Sequence, residues 1–252
     1  MEKDPSTLLF FAPGREFVEP YVCRELSGWR IVALDADSLS AAALPAAEAA
    51  VMLSGTEVYD VPDGGADNFD ESAPTKSDSP LLNMERDFGN ACVAAGLRPV
   101  ILRCANTVGT GMTGLPMRLA RWIYRGLFFH FPGNEARISA VHACDVAACV
   151  AAAANLPKDD ANPLILNLTD GENPTIHDFC EALAFRMSQK RISSLSTRPQ
   201  QWVAAVIYGK KRMKLLTTTV TFNSQAARHI LKTEPVKVTE YLKSHIYDNS
   251  SL

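Results

Sequence analysis

VMLSGTEVYD, Val51 to Asp60, begins as an apolar run and ends on Ser54, Gly55 and Thr56. A short continuous apolar run that stops at turn residues reads as a strand buried on both faces. In an open α/β sheet the carboxyl end of such a strand is where ligands bind. Upstream, TLLFFA (Thr7–Ala12) is another apolar run. Glu16 to Leu26 then has helical spacing through Phe17, Val18, Val22 and Leu26, and RIVAL (Arg30–Leu34) is a second buried strand ended by Asp35. Strand, helix, strand is the start of a doubly wound, Rossmann-like parallel sheet. A carboxylate after the second strand is placed to accept from an adenosine ribose, so Asp35 is a candidate cofactor contact and equally a cap for the turn ADS.

The loop after the first strand departs from that layout. A glycine-rich loop lets backbone amides approach a pyrophosphate at a helix N-terminus. Here Gly14 is the one glycine, Pro13 removes an amide, and Glu16 and Glu19 stand where later glycines are expected. Carboxylates in the first helical turn stabilise the helix through its dipole and repel a phosphate from the same place. Between Ala36 and Ala50 there is room for a single crossover, with AAALPAAEAA read as a short helix broken near Pro45. The first half of the sheet is therefore expected to be truncated.

The 252 residues, 47% hydrophobic and 21% charged, suit an ordinary globular protein. A net charge of −3 gives no electrostatic reason to expect nucleic acid or an anionic membrane as partner. Lys210, Lys211, Arg212 and Lys214 form the dense basic cluster, read as a solvated face. The start, MEKDPST, lacks a basic, apolar leader, and no apolar run approaches the ~18 residues of a membrane span, so a cytoplasmic protein is expected. Six cysteines are scattered singly without metal-ligand spacing; no metal is expected, and the thiols read as small buried apolar groups.

Five blocks follow in order: VMLSGTEVYD, ESAP (Glu71–Pro74), LLNME (Leu81–Glu85), ILRCANTVG (Ile101–Gly109) and RISAVHACDVAACV (Arg137–Val150). From Val51 onward this order resembles the extended short-chain dehydrogenase/reductase family, the NAD-dependent epimerase/dehydratases that act mainly on nucleotide sugars. The resemblance implies an NAD or NADP cofactor and a nucleotide sugar or related small molecule as ligand. That family uses a Tyr-x-x-x-Lys pair on one helical face, where the lysine charge lowers the tyrosine pKa from about 10 toward neutrality so that a phenolate can take a proton. With Glu85 aligned to the glutamate that follows the family's lysine, Ser77 and Leu81 replace the pair, and neither supplies a base or a charge. The family's Ser or Thr at the strand end falls on Gly55, flanked by Ser54 and Thr56 as the catalytic candidates. Asn106 resembles the asparagine that contacts substrate, and Arg137 stands where an arginine can reach a nucleotide-sugar phosphate. Each also has a plain reading, a loop-stabilising amide for Asn106 and a surface ion pair for Arg137. Gly14 and Asp35 are the candidate cofactor contacts.

Downstream, Leu115 to Phe131 has helical spacing, PLILNL (Pro163–Leu168) is another buried strand, and Thr175 with Asp178 forms a capping box. His142 is read as a core histidine within a strand, His130 as packing or rim, and Asp145 as the cap of the helix VAACVAAAA. A helical stripe over Trp202, Val203, Val206, Ile207 and Tyr208 and a final helix over Thr239–Tyr247 complete the chain. The expected architecture is a Rossmann-like core from 1–110 and 138–168 with a smaller, mainly helical lobe from 111–137 and 169–252. The expected function is an NAD(P)-dependent epimerase/dehydratase-like protein lacking the family's usual oxidoreductase residues. The alternative is a non-catalytic binding or scaffold protein, a pseudoenzyme that forms a homodimer or pairs with an intact homologue.

Overall fold

Successive side chains of a strand point to opposite faces of its sheet, and in this protein both faces are covered. A computed structural model describes residues 5–39, 44–130, 133–157, 162–187, 192–194, 206, 209 and 212–244. Its centre is a five-stranded parallel sheet of β1 (Thr7–Phe11), β2 (Arg30–Leu34), β3 (Ala49–Gly55), β5 (Pro99–Cys104) and β9 (Leu164–Leu168), ordered β2-β1-β3-β5-β9. Leu8, Phe10, Val51, Leu53 and Leu102 point to one face, against Val22 of α1 (Glu19–Glu25) and Val146 and Val150 of α5 (Ala143–Ala154). Leu9, Phe11, Met52 and Ile101 point to the other, against Phe88 and Cys92 of α3 (Pro80–Ala94). The Ser79 hydroxyl caps α3 by accepting from the Leu82 amide, and Pro80 at the first helical position has no amide to leave unpaired.

Two local expectations change. The segment read as a broken helix contributes strand: β3 begins at Ala49, residues 44–48 are not helical, and among the described residues of this crossover the helical turn is α2 (Ala36–Leu39). Residues 40–43 lie outside the described ones. In the first loop, the Arg15 amide donates to the Ala12 carbonyl at 2.9 Å and a 3-10 turn runs over Glu16–Val18 before α1 starts. Ala12 and the fully buried Val18 join the first core, Arg15 reaches the end of β3, and Glu16 is exposed.

A second core joins Leu119 and Ile123 of α4 (Gly114–Tyr124), Phe179 and Leu183 of α6 (Ile176–Arg186), and Val238 and Leu242 of α8 (Val238–Lys243). Among the described residues, β6 (Asn106–Val108) pairs in parallel with β8 (Ala140–His142) and β7 (Phe129–His130) with β10 (Ser193–Ser194), while β4 (Ala66–Phe69) pairs with β11 (Val220–Phe222) over a small cluster around Tyr59. α4 stops at Tyr124, short of the expected Phe131, because Gly126 turns the chain at φ +64° and the following residues enter β7. α7 (Gln225–Leu231) packs Ala227 and Leu231 on the first core. Of the remaining expectations, most of the 202–208 stripe, Lys210 and Lys211, and the end of the last helix beyond Ser244 lie outside the described residues. Among the described residues no helix is long and apolar enough to cross a membrane. Cys92, Cys104, Cys149 and Cys180 are buried, Cys144 is half-buried, and Cys23 is exposed.

The junction of β8 and α5 is also capped differently from the sequence reading. His142 is the last residue of β8, and its Nδ1 accepts from the Cys144 amide at 3.1 Å, capping α5. Asp145 instead accepts from the Val236 amide at 3.2 Å, while Asp170 accepts from the Val238 amide at 2.8 Å and the Glu172 amide at 2.9 Å. These carboxylates hold the segment that leads into α8. Burial pushes Asp145 up to about 6 and Asp170 above its ordinary value.

His142 is 1% exposed, its ring lies tilted against Tyr241 with 3.6 Å between centroids, and burial pushes its pKa down to about 4. The folded protein keeps this imidazole neutral while the unfolded chain protonates it near 6.5, so the folded state loses stability as pH falls from about 6.5 to about 4. Asp145 acts in the opposite sense below pH 6, so the two are separated by difference. The stability gap between wild type and His142→Gln, measured by urea denaturation, is expected to shift by up to about 3 kcal/mol in favour of the variant across that window.

Candidate functional site

The chain passes from β2 back across β1 to β3, so the strand order reverses between β1 and β3, and the crevice beyond their carboxyl ends is the switch point of the sheet. A cavity of about 200 Å³ lies there, lined by Gly14, Arg15, Phe17, Glu57, Asn106 and the first turn of α4, with Thr113, Gly114 and Leu115. Its roof is fixed by the Thr113 hydroxyl, which donates to the Gly14 carbonyl at 3.3 Å. One wall is an ion pair: Arg15 Nη2 lies 2.9 and 3.0 Å from the two carboxylate oxygens of Glu57.

Beneath the crevice, one row of the sheet is polar. Ser54, Arg103 and Asn167 are neighbours in register on β3, β5 and β9, all buried on the α3 face. Glu85 projects from α3 into this row. Arg103 Nε and Nη2 donate to its two oxygens at 3.0 and 2.7 Å, and the Ser54 hydroxyl donates to Oε1 at 2.5 Å. The Arg103 guanidinium also lies 4.9 Å from the centre of the Tyr59 ring, and the Tyr59 hydroxyl donates to Asn167 Oδ1 at 2.7 Å. Burial by itself lowers the Arg103 pKa, but the Glu85 carboxylate outweighs it and holds the guanidinium above its ordinary value. Burial raises the Tyr59 hydroxyl above 10 despite Arg103, so it stays protonated at neutral pH.

The sequence candidates are distributed around this frame. Ser54 is fully buried and committed to Glu85, below the crevice rather than in it. Thr56 begins a 3-10 turn over Thr56–Val58 and is half-buried. Ser77 is exposed in the turn before α3, and Leu81 lies in its first turn against the apolar cluster of Phe88, so the two do not share a helical face. Gly14, at φ +72°, donates its amide to Glu16 Oε1 at 2.9 Å. Asp35 is exposed and accepts from the Ser38 hydroxyl at 2.5 Å and the Ser38 amide at 2.7 Å; the hydroxyl contact leads in holding it below the usual carboxylate range. Asn106 lines the cavity, and its Nδ2 donates to the Ser139 carbonyl at 2.9 Å. Arg137 lies outside the cavity lining and donates from Nη1 to the Asn173 carbonyl at 3.1 Å.

Sequence reading alone did not single out Arg15, Glu57 or Arg103. Arg103 carried a signal, one charge inside the otherwise apolar stretch PVILRC, whereas Glu85 sits beside Arg86 and Asp87 and stands out less. Arg15 and Glu57 carried none, since they meet only after β1 and β3 pair.

No family model and no curated protein matches the chain. Solved structures do, over nearly its whole length. The human epimerase family protein SDR39U1, solved with NADPH, superposes with a TM-score of 0.62 at 14% identity, covering 94% of this chain and 98% of that one. The UDP-glucose 4-epimerase of Thermotoga maritima, solved with UDP-glucose, gives 0.62 at 15% identity over 94% and 96%. MoeE5, solved with UDP-glucuronic acid and NAD, gives 0.59 at 16% identity over 93% and 96%. The fold is that of the NAD-dependent epimerases. Within the epimerase fold, the polar row of Ser54, Arg103 and Asn167 lies directly under the strand ends that bound the crevice.

Removing one partner of a buried pair leaves the other charge without compensation, at a cost of about 3–5 kcal/mol. Glu85→Ala is expected to lose that much in urea denaturation. Joint replacement, Glu85→Leu with Arg103→Met, is expected to recover most of it.

Proposed function

We propose that this chain is a divergent member of the extended short-chain dehydrogenase/reductase family that binds a nucleotide sugar or a related small molecule without the family's usual hydride-transfer chemistry. The observation that carries this reading is the state of the β3 end. General acid/base catalysis needs a group of suitable pKa within hydrogen-bond reach of the reacting proton. Ser54 is turned under the sheet to Glu85, Gly55 follows it, and Tyr59 is buried with a raised pKa against Asn167. At the positions aligned with the tyrosine and lysine, Ser77 is exposed outside the helix and Leu81 is packed among apolar side chains.

Support for a nucleotide-sugar ligand comes from the epimerase fold, from solved proteins of that fold with UDP-glucose and UDP-glucuronic acid, and from Asn106 in the lining of the switch-point cavity. In this reading the protein works in the cytoplasm as a binding or scaffold subunit, alone as a homodimer or beside an intact homologue.

Calorimetric titration with UDP-glucose, UDP-glucuronic acid and UDP-N-acetylglucosamine is the test. Saturable binding of at least one is expected, weakened tenfold or more by Asn106→Ala, with no change in the sugar or in the redox state of added NAD. Turnover of any of them that Asn106→Ala abolishes would overturn the non-catalytic reading.

A further inference from the structure

In a dinucleotide-binding sheet the pyrophosphate crosses the switch point, and glycines keep side chains out of its way while loop amides donate to it. An ion pair occupies that path here, and a third side chain takes a loop amide. Arg15 extends from the end of β1 across the end of β3 to Glu57, and its side chain is 12% exposed. The pair lies directly on the β3 backbone: a Cβ at Gly55 would be 1.8 Å from Glu57 Oε2 and 2.1 Å from Arg15 Nη2. Gly55 is the residue that lets this ion pair settle into the crevice. Glu16 then takes the loop amide of Gly14, an intramolecular carboxylate where an external anion would be received. Pro13 offers no amide beside it.

The charges add to the obstruction. Glu57 neutralises Arg15, and Glu16 leaves one carboxylate in excess at the Gly14 amide, a negative charge that opposes a diphosphate. At the adenosine end, Asp35 accepts from Ser38 as a turn cap. The cavity that remains, about 200 Å³, is below the ~300–1,000 Å³ of ordinary small-molecule pockets.

We infer that the protein fills its own dinucleotide crevice: Arg15, Glu57 and Glu16 stand in place of the cofactor's diphosphate, and the folded chain takes no NAD or NADP. This goes beyond the proposed function, which concerns the sugar-nucleotide ligand and the missing acid/base groups. It is tested without any sugar nucleotide, so the two can fail separately.

Calorimetry and thermal-shift measurements with NAD, NADH, NADP and NADPH on the full chain should give no saturable signal in wild type up to about 1 mM. Arg15→Gly with Glu16→Gly is expected to bind at least one of them at least tenfold more tightly than wild type. Should that variant fail to fold, Glu16→Gln with Glu57→Gln removes both negative charges at constant size and is expected to show the same direction of change. Saturable wild-type binding at or below about 1 mM overturns the inference. So does a folded variant of either kind that binds no better than wild type, because the named side chains would then not be what excludes the cofactor.

Discussion

The contact between Arg103 and Glu85 fixes the relation of sheet to helix on which the site depends. A buried guanidinium and a buried carboxylate are each costly to desolvate, and they are tolerated because they meet in a two-pronged contact. The geometry leaves little freedom: α3 must present Glu85 at the height of Arg103 in β5, which sets the axial position of the helix along the strands. Ser54 is drawn into the same contact. A hydroxyl at a strand end thus becomes a third donor to a structural carboxylate.

Above that layer the crevice repeats the theme with an exposed partner. Arg15 is mostly covered while Glu57 is 68% exposed, so their pair is screened by water on one side only. The two ion pairs lie at different levels of the sheet, one below the strand ends, on β5, and one across the ends of β1 and β3. The epimerase fold is thereby kept with its upper surface assembled from the chain's own charges.

The strands were legible because each is a short apolar run ended by a turn residue: RIVAL matches its strand to the residue, while TLLFFA and PLILNL each run one residue beyond theirs. The 41–50 segment misled because alanine favours helix weakly, whereas the pairing of Ala49 and Ala50 with Leu8 and Leu9 of β1 decides in favour of strand. The Thr175 cap was legible, with its hydroxyl accepting from the Asp178 amide. The α5 cap was not, since an imidazole in that role depends on the β8 backbone that delivers His142. Of the site, the lining residues Gly14 and Asn106 were named from sequence, but the ion pairs were not. They join residues 18 and 42 apart, and only folding shows which charges meet.

The anchoring of the segment before α8 has an evolutionary corollary. Asp145 and Asp170 grip it through the backbone amides of Val236 and Val238, not through side chains. Any residue except proline supplies such an amide, so position 236 and the solvent-facing Lys237 between them are free to drift without loosening the grip. The aspartates have no such freedom. Variation in this family of sequences should therefore be lopsided, with a changeable strap held by unchanging hands.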